Sequence, residues 1–401
     1  MELFLLLASA YLFTLALGVL LEKIRVPWIF AALIFGLVLA ATGFFRPALG
    51  SGTFEFLARL GMYFFLFVIG FEINVDEILE KSGFILKTTF IVMFLETVMG
   101  GVFVHYAFGT GWIVALFVAH IFATVGEAVL LPILEEFELV DTELGQTILG
   151  VATVDDTFEI LSILLLPFII GGAAASHFNW GLALLSAATL FAVTYAVWKV
   201  DFTVEDLASL TSGAFFLLML FFLVLFIYIG GFAEAAALGA LFAGIVSNSL
   251  VPEAREDIAR REVKAVTYGL FGPLFFLWVG SDVTISIPQG LSAGFLGLPP
   301  WTIFAGLVVG YLVVVNTAKI GGTVIAGWNR LSLQQSLVTG VSLAVKFSTS
   351  IVIIKILFEK AAIGAALYSV LIASKIVFEF IIPFMLSALF NRWDVQKTIS
   401  S

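Results

Sequence analysis

Residues Gly150 to Pro167 read GVATVDDTFEILSILLLP, placing Asp155, Asp156 and Glu159 inside a run otherwise apolar enough to sit in a bilayer. An ionised side chain at bilayer depth costs at least ~2.5–3.5 kcal/mol, so such residues face a bundle interior or a watery pathway. On a helix, Asp155 and Glu159 are four apart and Asp156 and Glu159 three apart, so all three share one broad face. The two aspartates point about 100° from each other on that face. Like charges this close cannot all ionise cheaply, which favours a retained proton on at least one of them. A site that holds either a proton or a cation is the chemistry of proton–cation exchange.

The rest of the chain agrees with a membrane setting. Of 401 residues, 61% are hydrophobic and only 12% charged, with a mean hydropathy of +1.14. Soluble domains carry roughly 25% charged residues. The longest polar connection runs from Asn248 to Thr267, too short for a separate soluble domain, so a single membrane domain over 1–401 is expected. Met1 to Leu21 lacks a basic leader and a small-residue cleavage site and runs on into a second apolar span, which reads as a retained helix. The absence of cysteine excludes disulfides, thiolate ligands and cysteine nucleophiles. A net charge of −10 argues against a nucleic-acid partner.

With roughly 17–25 apolar residues per span, the pattern predicts an all-α polytopic membrane protein of about thirteen segments. They start near residues 2, 27, 54, 84, 112, 145, 180, 212, 234, 266, 301, 334 and 363. With the N-terminus outside, the inner loops collect Lys23, Arg25, Lys81, Lys87, Lys199, Arg255, Arg260, Arg261, Lys264, Arg330, Arg392 and Lys397. The outer side has Arg46, Arg59 and Lys360. This asymmetry predicts an N-out, C-in orientation.

Several spans carry more than an anchor needs. The Ala and Gly of VPWIFAALIFGLVLA and GGFAEAAALGALFAGIV suit close helix packing. Glu72 falls at a span boundary, where a solvated charge and a functional one are both consistent, whereas Glu96 lies deeper as a buried structural or functional carboxylate. In WIVALFVAHIFATVGEAVLLPILEEFEL, Thr124, Gly126 and Glu127 precede Pro132, which predicts a helix that breaks in the membrane. Freed carbonyls and the Thr124 hydroxyl would then face an ion. The following acidic loop, from Glu135 to Gln146, is either a solvated turn or a funnel that concentrates cations. Lys319 lies within an apolar helix and calls for a buried carboxylate partner. Gly340, Ser342, Lys346, Ser348, Thr349 and Ser350 cluster in a second candidate break. Lys355, nearer a helix end, reads as snorkelling, and Lys375 and Glu379 as an i, i+4 pair.

The first break and the acidic face recur, six spans later, as the buried lysine and the second break. Repeats of an odd number of helices have opposite topology, so two inverted repeats with crossing broken helices are expected, with a site at the midplane. Breaks that cross at one depth bring Glu127 and Lys346 together, and opposite charges within ~4–6 Å keep both ionised. Glu159 competes for the same lysine or faces a polar cavity in protonated form.

The ordered set VPWIFAALIFGLVLA, LGMYFFLFVIGFEINVDEIL, ATVGEAVLLPILEEFELVDTELGQTILGVATVDDTFEI, LGALFAGIV, FGPLFFLWVGSDVTI and the run at Lys319 resembles the monovalent cation/proton antiporter superfamily. The resemblance is to the branch holding paired-aspartate sodium/proton antiporters and Kef-type potassium/proton proteins. It implies a homodimer in a cell membrane, with 1–82 and 201–290 as a dimerisation part, 83–170 and 300–390 as the transport core, and 171–200 as a linking helix. It also implies elevator-like alternating access. Asp156 is similar to the family's ion- and proton-binding carboxylate, Asp155 to its partner, Lys319 to the lysine that pairs with that partner, and Thr124 to a hydroxyl at the first crossing. Glu127, Glu159 and the Lys346–Phe347–Ser348 run depart from the family pattern.

The expected function is exchange of a monovalent cation, sodium foremost, for protons. The alternatives are potassium/proton exchange or cation-coupled solute transport on the same fold, and an ion channel. An intramembrane aspartyl protease also needs two membrane aspartates, but its GxGD signature is absent. No enzymatic activity and no cofactor are expected beyond the transported cation and protons.

Overall fold

The computed structural model describes residues 1–72, 82–125, 127–137, 139–140, 142–173, 180–199, 212–232, 235–251, 256–288, 298–345 and 349–393. Among them regular structure is entirely helical. Lipid offers the backbone no hydrogen-bond partners, and a helix satisfies its own. The helices are α1 (Glu2–Glu22), α2 (Phe30–Thr42), α3 (Gly52–Glu72), α4 (Gly83–Phe108), α5 (Trp112–Ala123), α6 (Glu127–Glu136), α7 (Glu143–Ile163), α8 (Leu166–Ala173) and α9 (Trp180–Lys199). They continue as α10 (Ser212–Gly231), α11 (Ala236–Leu250), α12 (Glu256–Lys264), α13 (Gly272–Ser281), α14 (Pro300–Gly327), α15 (Leu333–Ser342), α16 (Thr349–Glu359) and α17 (Ala365–Trp393).

Most expected segment starts fall within a few residues of a helix start. Near 266 the helix begins earlier, because α12 runs through a π-helical turn, Ala265–Phe271, into α13. By length and composition, seven helical stretches among the described residues are apolar enough to cross a membrane. The two interrupted helices fall below that length because each is made of short halves.

Helix ends are locally specified. The Ser82 hydroxyl accepts the Ile85 amide at the start of α4, and Gly109, at φ 65°, ends that helix in a left-handed turn. Ser332 and Gln335 form a reciprocal capping box at the start of α15.

The chain divides into two compact units. The first comprises Met1–Leu15, Ala31–Asn74 and Ile163–Ser281. Here α3 and α11 touch backbone to backbone: a Cβ on Gly244 would sit 2.1 Å from the Phe67 carbonyl oxygen, and one on Gly70 2.0 Å from that of Leu241. Small residues permit this approach. Glu72 ends α3 in ion pairs with Lys264 at 2.6 Å and Arg260 at 3.9 Å, all three side chains being half-exposed. The charge there is a solvated one.

The second unit comprises Ala16–Phe30, Val75–Ser162 and Asp282–Ser401. Its centre is the contact of α4 with α14, where a Cβ on Gly322 would meet Val92 Cα at 2.9 Å. Lys319 precedes Gly322 by one turn and Glu96 follows Val92 by one turn, so this approach sets the two charges side by side. Lys355 does not snorkel. It is fully buried and pairs with Asp282 and with Glu359, the latter at 2.8 Å. Two carboxylates in reach make burial cheaper than extension toward water.

Candidate ion-binding site

The sequence predicted two interruptions, and both are present. Helix α5 stops at Ala123, residues 124 and 125 are non-helical, and α6 begins at Glu127. Helix α15 stops at Ser342, and α16 begins at Thr349.

The interruptions meet at Lys319. Its ammonium donates to the Ala123 carbonyl and to the Leu343 carbonyl, each at 2.6 Å. Ala123 is the last residue of α5, and Leu343 caps α15. Helix C-termini expose unsatisfied carbonyls and about half a negative charge each. One cation thus caps two of them. Glu96 of α4 lies 3.4 Å from the same nitrogen, and both side chains are 1% exposed.

Asp155, on α7 and buried, accepts the backbone amide of Val125 at 3.0 Å. Val125 leads into α6, whose N-terminal end carries the opposite partial charge. The lysine therefore sits on helix C-termini, and the aspartate on the non-helical segment that precedes α6. Within 4.0 Å the carboxylate facing Lys319 is Glu96; the expected Asp155–Lys319 ion pair is not formed. The physical reason is local: Asp155 already has the Val125 amide, and Lys319 has two helix-end carbonyls and a nearer carboxylate.

Thr124, at the first interruption, donates its hydroxyl hydrogen to the Ile121 carbonyl at 3.0 Å. Its oxygen lone pairs stay available to a cation. Asp156, next to Asp155 on α7, is half-buried. Glu159 is buried on the same helix and acts electrostatically on Lys375 of α17, as does Glu379. The hydrogen bond of Lys375 goes to the Ser350 hydroxyl, and its ammonium lies 4.8 Å from the Phe122 ring centre. Of the expected Glu127–Lys346 pair, Lys346 lies outside the described residues. Glu127 is the first residue of α6, and its side chain too lies outside them.

Two contributors escaped the sequence reading. Glu96 was legible as a deep carboxylate but not as the partner of Lys319. His120 of α5 contacts the Ser162 hydroxyl through Nε2 at 2.7 Å, and Asp155 acts on it electrostatically. Ser162 also bonds the Phe158 carbonyl at 2.7 Å. A lone histidine in WIVALFVAHIFATVGE was the available signal.

Comparison with known proteins points one way. The family model described as "Sodium/hydrogen exchanger, transmembrane" matches residues 8–392. The probable Na(+)/H(+) antiporter 3 of Methanocaldococcus jannaschii is 25% identical over 376 residues, covering 92% of both chains. The Na(+)/H(+) antiporter of Enterococcus hirae is 25% identical over 376 residues, covering 91% of this chain and 92% of its own. The K(+)/H(+) antiporter subunit KhtU of Bacillus subtilis is 26% identical over 242 residues, covering 58% of this chain and 57% of its own. Among solved structures, the sodium proton antiporter MjNhaP1 from Methanocaldococcus jannaschii at pH 8 superposes with a TM-score of 0.58 at 16% identity, covering 100% of both chains. That likeness is one of fold.

Proposed function

Because the chain belongs to the sodium/hydrogen exchanger family, we propose that it exchanges a monovalent cation, sodium foremost, for protons across a cell membrane. It is a multi-pass membrane protein whose relatives are transporters rather than enzymes. The observation that carries the reading is the meeting of two interrupted helices on one buried lysine, with an aspartate pair on the next helix. Asp156 takes the cation or the proton, Asp155 shares its charge, and the Thr124 oxygen supplies a neutral ligand. A bound cation favours the ionised carboxylates and a proton removes that charge, so the two cargoes exclude each other.

The motion is elevator-like alternating access, with 83–170 and 300–390 carrying the site and 1–82 and 201–290 holding a homodimer. The chain lies N-out and C-in, and the two halves form inverted repeats. Glu127 and Lys346 neutralise each other at the interruptions. Potassium as cargo is the second reading, favoured by the likeness to a K(+)/H(+) antiporter subunit.

Proton movement in liposomes, driven in turn by Na⁺, Li⁺ and K⁺, tests the reading in wild type and Asp156→Asn. The variant removes charge from a site where charge is costly, so it should insert and fold while exchange is abolished. Wild-type exchange in that variant would remove Asp156 from the site.

A further inference from the structure

We infer that Glu96 is a positioning residue that keeps the Lys319 ammonium on the ends of the two interrupted helices and off Asp155, leaving both aspartates to the transported cation. The inference rests on the exchange reading above. An ammonium has three donors. Two of those of Lys319 reach the Ala123 and Leu343 carbonyls at 2.6 Å, and the Glu96 carboxylate lies 3.4 Å from the same nitrogen as an ion pair. The pair is 1% exposed on both sides, so neither charge has water as an alternative.

Asp155 is held on the same short segment. Its partner is Val125, two residues after Ala123, and two residues of extended chain span about 7 Å at most. A flexible four-carbon stem covers that interval. Lys319 thus binds the same short segment as a second carboxylate that it does not engage, and Glu96 is the carboxylate within 4.0 Å of it. Without that charge, a buried ammonium next to Asp155 would pair with it and compete with the cation for the carboxylate. Glu96 touches neither cargo; it works through the lysine.

The test is cation-driven proton movement in liposomes, recorded against cation concentration for wild type, Glu96→Gln, Glu96→Asp, Lys319→Gln and Glu96→Gln/Lys319→Gln. In Glu96→Gln the KM for the cation should rise about tenfold, equivalent to about 1.4 kcal/mol, with kcat little altered. Lys319→Gln removes the group through which Glu96 acts, so adding Glu96→Gln to it should leave its KM nearly where Lys319→Gln alone puts it. A merely structural role would lower stability and kcat by the same factor in both backgrounds. Unchanged KM in Glu96→Gln, or an equal rise in the Lys319→Gln background, overturns the inference. Should Glu96→Gln fail to insert, Glu96→Asp keeps the charge on a shorter arm and should raise KM by a smaller factor; a wild-type KM there overturns it equally. Wild-type protein that moves no protons with any cation sinks the exchange reading instead. In that event a double-mutant cycle on thermal unfolding of Glu96 and Lys319 in detergent still decides the pairing: coupled losses support it and additive losses overturn it.

Discussion

The carboxylate of Asp155 accepts the Val125 amide at 3.0 Å, which ties the buried aspartate to the N-terminal side of one half-helix rather than to Lys319. This bond separates two functions of the same side chain. Asp155→Asn keeps an acceptor for the amide, so stability should change little while exchange falls. Asp155→Ala strands a buried N–H, which costs about 1–3 kcal/mol. Thermal unfolding in detergent should rank wild type and Asp155→Asn together, with Asp155→Ala clearly below. Equal losses for both variants would mean that the amide bond contributes nothing.

The fully buried Lys355, with Asp282 and Glu359 as partners, gives a second expectation. Removing one member of a buried ionic cluster strands the rest and costs about 3–5 kcal/mol. Lys355→Met should therefore lower the unfolding temperature sharply. A snorkelling lysine, its charge already in water, would lose less than about 1 kcal/mol of pairing. The same unfolding series distinguishes the two.

What could be read from the linear chain and what could not follow from the range of each interaction. The interruptions were legible because their causes are local: Thr124, Gly126 and Pro132 at one, and the cluster from Gly340 to Ser350 at the other. That Lys319 needs burial and a carboxylate was legible from its apolar flanks. Which carboxylate was not, since Glu96 reaches it only because Gly322 lets α14 close on Val92 of α4. A sequence has no spacing rule for a contact made across two distant helices. Lys355 was misjudged for the same reason, because Asp282 lies on a separate stretch. Nor was it legible that Asp155 and Lys319, from neighbouring helices, reach the first interruption, since those contacts join residues far apart in the chain.

Glycine positions offer a packing test. A Cβ on Gly244 would lie 2.1 Å from the Phe67 carbonyl oxygen, which is backbone and cannot give way. Overpacking of this kind costs about 1–3 kcal/mol, so Gly244→Ala should destabilise the protein and spread α3 from α11. Gly306 in α14 meets nothing within 4 Å. There, Gly→Ala removes only backbone freedom and should stabilise by about 0.5–1 kcal/mol. Opposite shifts in unfolding temperature are expected from the same chemical change.

Thr124 provides the last expectation, and it depends on where its hydrogen points. The hydroxyl donates to the Ile121 carbonyl at 3.0 Å, so the proton faces the end of α5 and the oxygen lone pairs face away from that bond. A cation needs lone pairs, and a hydroxyl with its proton already committed offers them without reorienting. Thr124→Ser keeps the oxygen and its donor bond, so exchange should persist with a nearly unchanged cation KM. Thr124→Val keeps the shape but loses the oxygen, leaving the Ile121 carbonyl without this donor and the cation short of one neutral ligand. A single neutral polar contact is worth about 0.5–1.5 kcal/mol, which corresponds to a KM increase of about two- to twelvefold. Concentration-dependent proton movement in liposomes gives the comparison. If Thr124→Val matches wild type while Asp156→Asn is inactive, the cation binds at the aspartates without the hydroxyl, and Thr124 serves only to cap the broken helix.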